Sequence, residues 1–138
     1  PLLDRIDLHI SVPDLPQSFY LDDKYPTETS EEVKKRIIRT RYIQTSRQKV
    51  LNSMLNEDNI KKYCKLPAEA KPLLEKAIKK FQLSARAYNR VLKISRTIAD
   101  MDSNNNSDNS QVKTEHFTEA LSYRGEPVKD YENNKYAY

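Results

Sequence analysis

Glycine is nearly absent from this sequence, which has one glycine in 138 residues. A Walker A phosphate-binding loop needs two glycines, so these residues contain none. The single cysteine excludes an internal disulfide framework and a cysteine-based zinc site, and two histidines are too few for an all-histidine metal site. No apolar run approaches the roughly 18 to 20 residues that span a bilayer, and no signal segment opens the chain. These absences predict a cytoplasmic protein with no metal centre and no membrane contact.

What the sequence does contain is charge, arranged in three blocks. Residues 1–29 carry six acidic and two basic side chains, residues 30–93 carry six and seventeen, and residues 94–138 carry eight and five. A basic middle between acidic ends indicates an anionic partner such as nucleotide phosphate, nucleic acid or an acidic protein surface. A solvated helical surface rich in lysine explains the same pattern equally well.

The first apolar pattern has a period of two. Ile6, Leu8, Ile10 and Val12 alternate with polar residues, which predicts a β-strand of about six residues with one buried face. No second alternation follows, and a lone strand cannot satisfy its own backbone. We therefore expect the strand to belong to a sheet outside these residues, and the start at Pro1 without a methionine favours a fragment of a longer protein.

The chain from residue 30 to about residue 124 has helical signals instead. One helix is expected over about 30–48 and the longest over about 85–101, with shorter helices between and after them. The fold class predicted is all-α, a bundle of four or five helices with one N-terminal strand at its entrance. The expected caps or first helical residues are Ser30, Asn56, Pro67, Ser84 and Thr114.

The helix after Ser84 has the clearest pattern. Its apolar stripe, at helical spacing, is Tyr88, Val91, Leu92, Ser95, Ile98 and Ala99. A basic face is expected beside that stripe, formed by Arg90, Lys93 and Arg96 on about the same side as Arg86.

Two arginines are candidate site residues. Arg5, between leucines and acids at a turn-to-strand boundary, can project from a domain edge towards a phosphate, although an ion pair with Asp4 or Asp7 is the default explanation. Arg86 lies in the first helical turn, where the helix dipole disfavours a cation, so an anion in front of the helix would explain it. An exposed arginine with no role is the alternative. Cys64 is expected to be a buried structural thiol.

Three blocks of the sequence resemble the C-terminal part of bacterial magnesium-chelatase-like AAA+ ATPases, the YifB/ComM group. The blocks are PLLDRIDLHISVP, LSARAYNRVLKISRTIAD and HFTEALSYR, which begin at Pro1, Leu83 and His116. The segment from Ser30 to Arg47 also resembles the helix that opens the family's C-terminal domain. The resemblance covers residues 1–124, nearly the whole chain.

The resemblance implies a role for each arginine. Arg5 matches the arginine finger of the family's leucine-rich block, which reaches into the ATP site of a neighbouring subunit. Arg86 matches the sensor-2 arginine of the lid, which contacts the γ-phosphate of the nucleotide. ATP and Mg²⁺ are then the cofactors of the parent protein, with none bound by this chain alone. The implied partners are the preceding AAA+ core and neighbouring subunits of a homo-oligomeric ring.

The same resemblance divides the chain into three parts. Residues 1–29 would end the AAA+ core, residues 30–124 would form the helical lid, and residues 125–138 would be a flexible tail. Walker A and Walker B elements are missing, so the chain is not expected to hydrolyse ATP alone. The ComM type implies DNA branch migration by analogy.

A basic helical DNA-binding module without an ATPase role is the alternative function. Salt-dependent DNA affinity would distinguish it. Its candidate contacts are Lys34, Lys35, Arg39, Arg90 and Lys93.

Overall fold

The chain forms a bundle of helices. The computed structural model describes residues 6–12, 14, 28–103 and 111–124. Five α-helices and two short 3₁₀ turns occur in these residues, which confirms the predicted all-α bundle. The helices are α1 Ser30–Gln48, α2 Glu57–Tyr63, α3 Lys71–Phe81, α4 Ala85–Asp102 and α5 Thr114–Ser122, and the 3₁₀ turns are Asn52–Met54 and Ala68–Ala70.

Helix α4 lies at the centre of the bundle, in contact with α1, α2, α5 and the first 3₁₀ turn. Its predicted apolar stripe faces inward: Val91 packs with Phe117, Ala120 and Leu121 of α5 in one cluster of buried residues. On another side of the helix, Leu92 packs with residues from the α2 region in a second cluster. The stripe therefore holds two small cores together because both contain residues of the same helix.

The helix starts follow local capping rules, with three corrections. The first concerns Pro67, which precedes the 3₁₀ turn Ala68–Ala70 and is not the first residue of a helix, since α3 begins at Lys71. Asn56 and Ser84 cap α2 and α4 as predicted, by accepting hydrogen bonds from backbone amides three residues ahead. Helix α1 is capped by Thr29 rather than Ser30, because Glu32 lies three residues after Thr29 and completes a reciprocal capping box. Thr114 is the first residue of α5, and Lys113 stands at the cap position instead. The backbone amide of Lys113 donates a hydrogen bond to the imidazole of His116.

Two helices end without glycine, although the left-handed backbone at a helix end usually favours it. Lys49 after α1 has φ 65°, and Gln82 after α3 has φ 46°. Each donates its backbone N–H back to a helix carbonyl, of Thr45 and Ile78 respectively. These bonds satisfy orphan carbonyls and offset a left-handed conformation that costs roughly 1–2 kcal/mol for a residue with a Cβ.

The predicted N-terminal strand is not found in residues 6–12, although this segment is described. The apolar residues of its alternation are exposed, from 43% for Ile6 to 85% for Val12. A backbone hydrogen bond from His9 N to Tyr123 O, at 2.8 Å, ties the segment to the end of α5. Strand geometry needs a neighbouring strand for its ladder, and no strand occurs among the described residues to supply one.

Candidate functional site

Arg86 is the second residue of α4 and its side chain is exposed. Two residues earlier, the Ser84 hydroxyl accepts a hydrogen bond from the Ala87 backbone amide at 3.1 Å, which fixes the start of the helix. The next residue, Ala87, is buried, so the backbone of this turn is fixed against the bundle while the guanidinium points outward. Within the described ranges Arg86 has no ion-pair partner. The turn can therefore present a cation and free helix amides to an anion arriving from outside.

A largely apolar cleft of about 430 Å³ begins at the same helix end. Ala85, Tyr88 and Leu92 form its α4 wall, and Ile60 and Cys64 are on the opposite side. Burial raises the pKa of the Tyr88 phenol, so the ring stays neutral and acts as an apolar wall with a hydroxyl. The cleft is suited to a flat apolar group beside the end that carries Arg86.

Cys64, in that cleft, is a structural thiol. Its residue is 1% exposed, and burial raises the pKa of the thiol to about 11. The positive charges of Arg96 and Arg47 lower it, but burial has the larger effect. A thiol that stays protonated near neutral pH is a poor nucleophile, as the sequence predicted.

The segment of residues 6–12 is held on α4 one turn beyond Arg86. Arg90 Nη1 lies 2.5 Å from Asp7 Oδ1, and the Arg90 side chain is only 20% exposed. Arg5, the predicted arginine finger, lies outside the described residues. Asp7, one of the two carboxylates that the sequence offered to Arg5, is engaged by Arg90.

The five candidate DNA contacts separate into two groups. Lys34 and Lys35 are exposed on the first half of α1, and Arg39 beyond them is half-buried. On α4, Arg90 pairs with Asp7, and the Lys93 ammonium donates to the Ser53 carbonyl at 2.9 Å. The α4 pair thus makes intramolecular contacts, while the α1 lysines are open to a partner.

A buried ion cluster joins the last turns of α1 and α4. Arg47 donates to both carboxylate oxygens of Asp100, at 2.6 and 2.9 Å, and Arg96 donates to the same carboxylate at 2.8 Å. The Asp100 side chain is fully buried, and those of Arg96 and Arg47 are 5% and 9% exposed. The prediction that Arg96 continues an exposed basic face was therefore wrong: the side chain turns inward to the carboxylate four residues ahead.

Asn52 completes this cluster from the first 3₁₀ turn. Its amide nitrogen donates to Asp100 at 2.9 Å and Thr97 at 3.1 Å, and its amide oxygen accepts from Arg47 at 3.1 Å and Gln48 at 2.8 Å. Sequence reasoning missed the cluster because its members are far apart along the chain. The available signal was polar: Asp100 is four residues after Arg96, a spacing that brings the two side chains together on a helix.

Metal-binding and membrane-spanning features are not found in the part of the chain that the structure describes. No three His, Cys, Asp or Glu side chains among these residues are placed to hold a metal ion. None of the helices in the described ranges has the length and apolarity of a membrane span.

The chain matches known proteins along most of its length. Residues 27–124 match the family model described as magnesium chelatase, subunit ChlI C-terminal. Over 124 residues, 90% of this chain, it is 43% identical to the competence protein ComM of Haemophilus influenzae, covering 23% of that protein. It is 38% and 39% identical to the YifB proteins of Escherichia coli and Salmonella typhimurium, over the same share of this chain and 24% of each relative.

The match confirms the resemblance carried by the three sequence blocks. The chain spans about a quarter of the length of these curated relatives. It contains the region that the family model describes, with the Arg86 helix inside the matched residues. The chain therefore belongs to the magnesium chelatase ChlI C-terminal family, together with the ComM and YifB proteins.

Proposed function

We propose that residues 30–124 are the lid of an AAA+ ATPase subunit, and that Arg86 is its sensor-2 residue. The observation that carries the proposal is the exposed Arg86 guanidinium at the first turn of the central helix. A cation there is disfavoured by the helix dipole, whereas a γ-phosphate in front of the turn would bind both the guanidinium and the helix amides. The apolar cleft beside it suits a nucleoside.

Arg5 is proposed as the arginine finger that completes the ATP site of a neighbouring subunit. Its support is the sequence block LLDRID and the family membership of the chain. An always-charged planar guanidinium stabilises the charge that develops on a transferring phosphoryl group. In this arrangement residues 1–29 end the ATPase core, and residues 125–138 are a tail.

The remaining parts of the reaction would come from an AAA+ core in the same polypeptide. That core would supply the Walker elements that hold ATP and Mg²⁺, and homo-oligomerisation into a ring would bring Arg5 to the next subunit. The proposed setting is the cytoplasm, with DNA branch migration as the work driven by hydrolysis. The first check is the coding sequence upstream of Pro1, which should encode a Walker A loop and an acidic strand end.

The decisive experiment measures ATP turnover in the polypeptide that joins this chain to such a core. Arg5→Ala is expected to lower kcat by about 10³ to 10⁵, the range known for arginine fingers. Arg86→Ala should lower turnover strongly, and Arg86→Lys should restore little because an ammonium lacks the planar fork. Arg41→Ala, an exposed arginine on α1, is the matched control. Normal turnover in both the Arg5 and the Arg86 variants would overturn the proposal.

DNA binding is a second candidate function, favoured by the exposed Lys34 and Lys35 at the start of α1. These lysines lie in the basic middle block of the chain, and neither has an ion-pair partner in the described part of the molecule. A phosphate backbone could bind them without displacing an internal contact. A lid and a DNA contact are compatible in one protein because the lysines and Arg86 lie on different helices.

A further inference from the structure

A second cleft, of about 660 Å³, gathers positive charge far from Arg86. Its walls come from the last turn of α1, the end of α2, the middle of α4 and the residues before α5. Four cations line it, and no carboxylate does so among the described residues. The four are Arg47, Lys62, Lys65 and Arg96.

The floor of this cleft is formed by two guanidiniums that share a carboxylate. Arg47 and Arg96 both bind Asp100, which lies behind them and does not line the cleft. Burial lowers the pKa of Arg96, the Asp100 carboxylate raises it, and the positive charge of Arg47 lowers it. Among the described residues, two guanidiniums share one carboxylate, so the group keeps a net positive charge that an anion in the cleft would offset.

The rim of the cleft is built differently from the floor. Lys62 and Lys65 are exposed, and the Lys62 ammonium lies 5.0 Å from the centre of the Tyr63 ring, whose residue also lines the cleft. Flexible ammonium groups at the rim can close on an anion whose inner oxygens meet the guanidiniums. Planar guanidiniums at the floor and compact ammonium groups at the rim can together bind the oxygens of a tetrahedral oxyanion.

We propose that this cleft binds the terminal phosphate of a small phosphorylated ligand. A terminal phosphate is a dianion with three free oxygens, so it can contact the guanidiniums of Arg96 and Arg47, whose side chains are 5% and 9% exposed. A phosphodiester inside a nucleic acid has one charge and a sugar on each side, which keeps it at the rim. Arg96 is ten residues after Arg86, about 15 Å along the helix, so the guanidiniums of this cleft lie away from the sensor-2 position. The two clefts adjoin each other at Lys65, Leu66 and Pro67, which line both.

The test is calorimetric titration of the full chain with inorganic pyrophosphate, carried out in an Arg86→Ala background so that only the cleft is measured. Combining Lys62→Gln with Lys65→Gln should weaken binding at least about tenfold, since each removes a charge-assisted hydrogen bond. Combining Lys79→Gln with Lys80→Gln is the matched control, because Lys80 also stacks on an aromatic ring, at 5.3 Å from the Phe81 centre. Absence of saturable binding, or equal weakening in both pairs, would overturn the proposal.

Amine protection gives a second measurement that does not depend on variants. Acetylation followed by mass spectrometry should show pyrophosphate protecting Lys62 and Lys65 while Lys79 and Lys80 react as before. If a single-stranded oligonucleotide without a terminal phosphate protects the rim lysines and pyrophosphate does not, the site is a nucleic-acid contact and the proposed ligand class is wrong.

Discussion

Arg47 and Asp100, 53 residues apart in the sequence, form a bidentate ion pair at 2.6 and 2.9 Å that joins the ends of α1 and α4. The carboxylate also accepts from Arg96 and Asn52, so three donor side chains, one from each of three elements, meet at one buried carboxylate. Removing the negative charge of Asp100 leaves two buried guanidiniums without a counter-charge, whereas removing the charge of an exposed carboxylate leaves no buried charge unpaired.

Asp100→Asn should destabilise the fold by about 3–5 kcal/mol, the usual cost of leaving a buried charge without its partner. Urea denaturation monitored by circular dichroism measures the change. Glu75→Gln, an exposed carboxylate on α3, is the matched control and should stay within about 0.5 kcal/mol of the parent. Equal stability of the two variants would show that the cluster does not hold α1 to α4.

Stability should also depend on Glu32 at acid pH. The backbone amide and hydroxyl of Thr29 each donate to its carboxylate at 2.8 Å, and these bonds lower the pKa of Glu32. The stabilisation is thus complete above the ordinary pKa of a glutamate and is lost as the pH falls through the lowered folded value. Acid titration of unfolding should be flatter in Glu32→Gln. Glu31→Gln keeps the capping pair and should retain the steeper profile; identical profiles in both would contradict the prediction.

Cys64 should react slowly with a thiol reagent while the protein is folded. Burial raises the pKa of its thiol to about 11, so little thiolate forms at about pH 8, and the side chain is inaccessible. Absorbance of released thionitrobenzoate should rise slowly in buffer and rapidly in urea. The same fast rate in both solvents would mean that the cleft beside α4 opens readily.

DNA binding, if the second candidate function holds, should require Lys34 and Lys35. Replacing both by glutamine should weaken binding of a DNA oligonucleotide and reduce the slope of log affinity against log salt by about two, one for each phosphate that the lysines no longer neutralise. Fluorescence anisotropy over a salt series gives both quantities. Exchanging Lys79 and Lys80 for glutamine controls for net charge. An unchanged slope in the Lys34 and Lys35 variant would exclude these contacts.

Local patterns predicted the helices well because their signals lie within a few residues. The stripe of Val91, Leu92, Ser95 and Ala99 is buried as expected, and Ser84 caps the helix that contains it. The range of α1 was predicted correctly, but its cap was assigned to Ser30 rather than Thr29 because both are good capping residues. The position of Glu32 decides between them, since only Thr29 is three residues away.

Contacts over long distances could not be predicted in the same way. Arg96 was interpreted as a surface cation because lysines and arginines flank it, yet its carboxylate partner also binds Arg47 from another helix. The strand predicted at residues 6–12 is not formed in the structure, and the sequence had already placed its pairing partner outside these residues. For the candidate site, position on a helix end identified Arg86, but its cleft depends on the packing of α2 against α4.

The central place of α4 has a consequence for how the molecule opens. Because α4 contacts α1, α2 and α5, the amides in its middle can exchange with solvent only when those contacts are broken together. Hydrogen exchange there should report global unfolding. At the helix start the backbone is also held, by the Ser84 cap and the buried Ala87, and only the exposed Arg86 side chain can change its conformation without breaking these contacts.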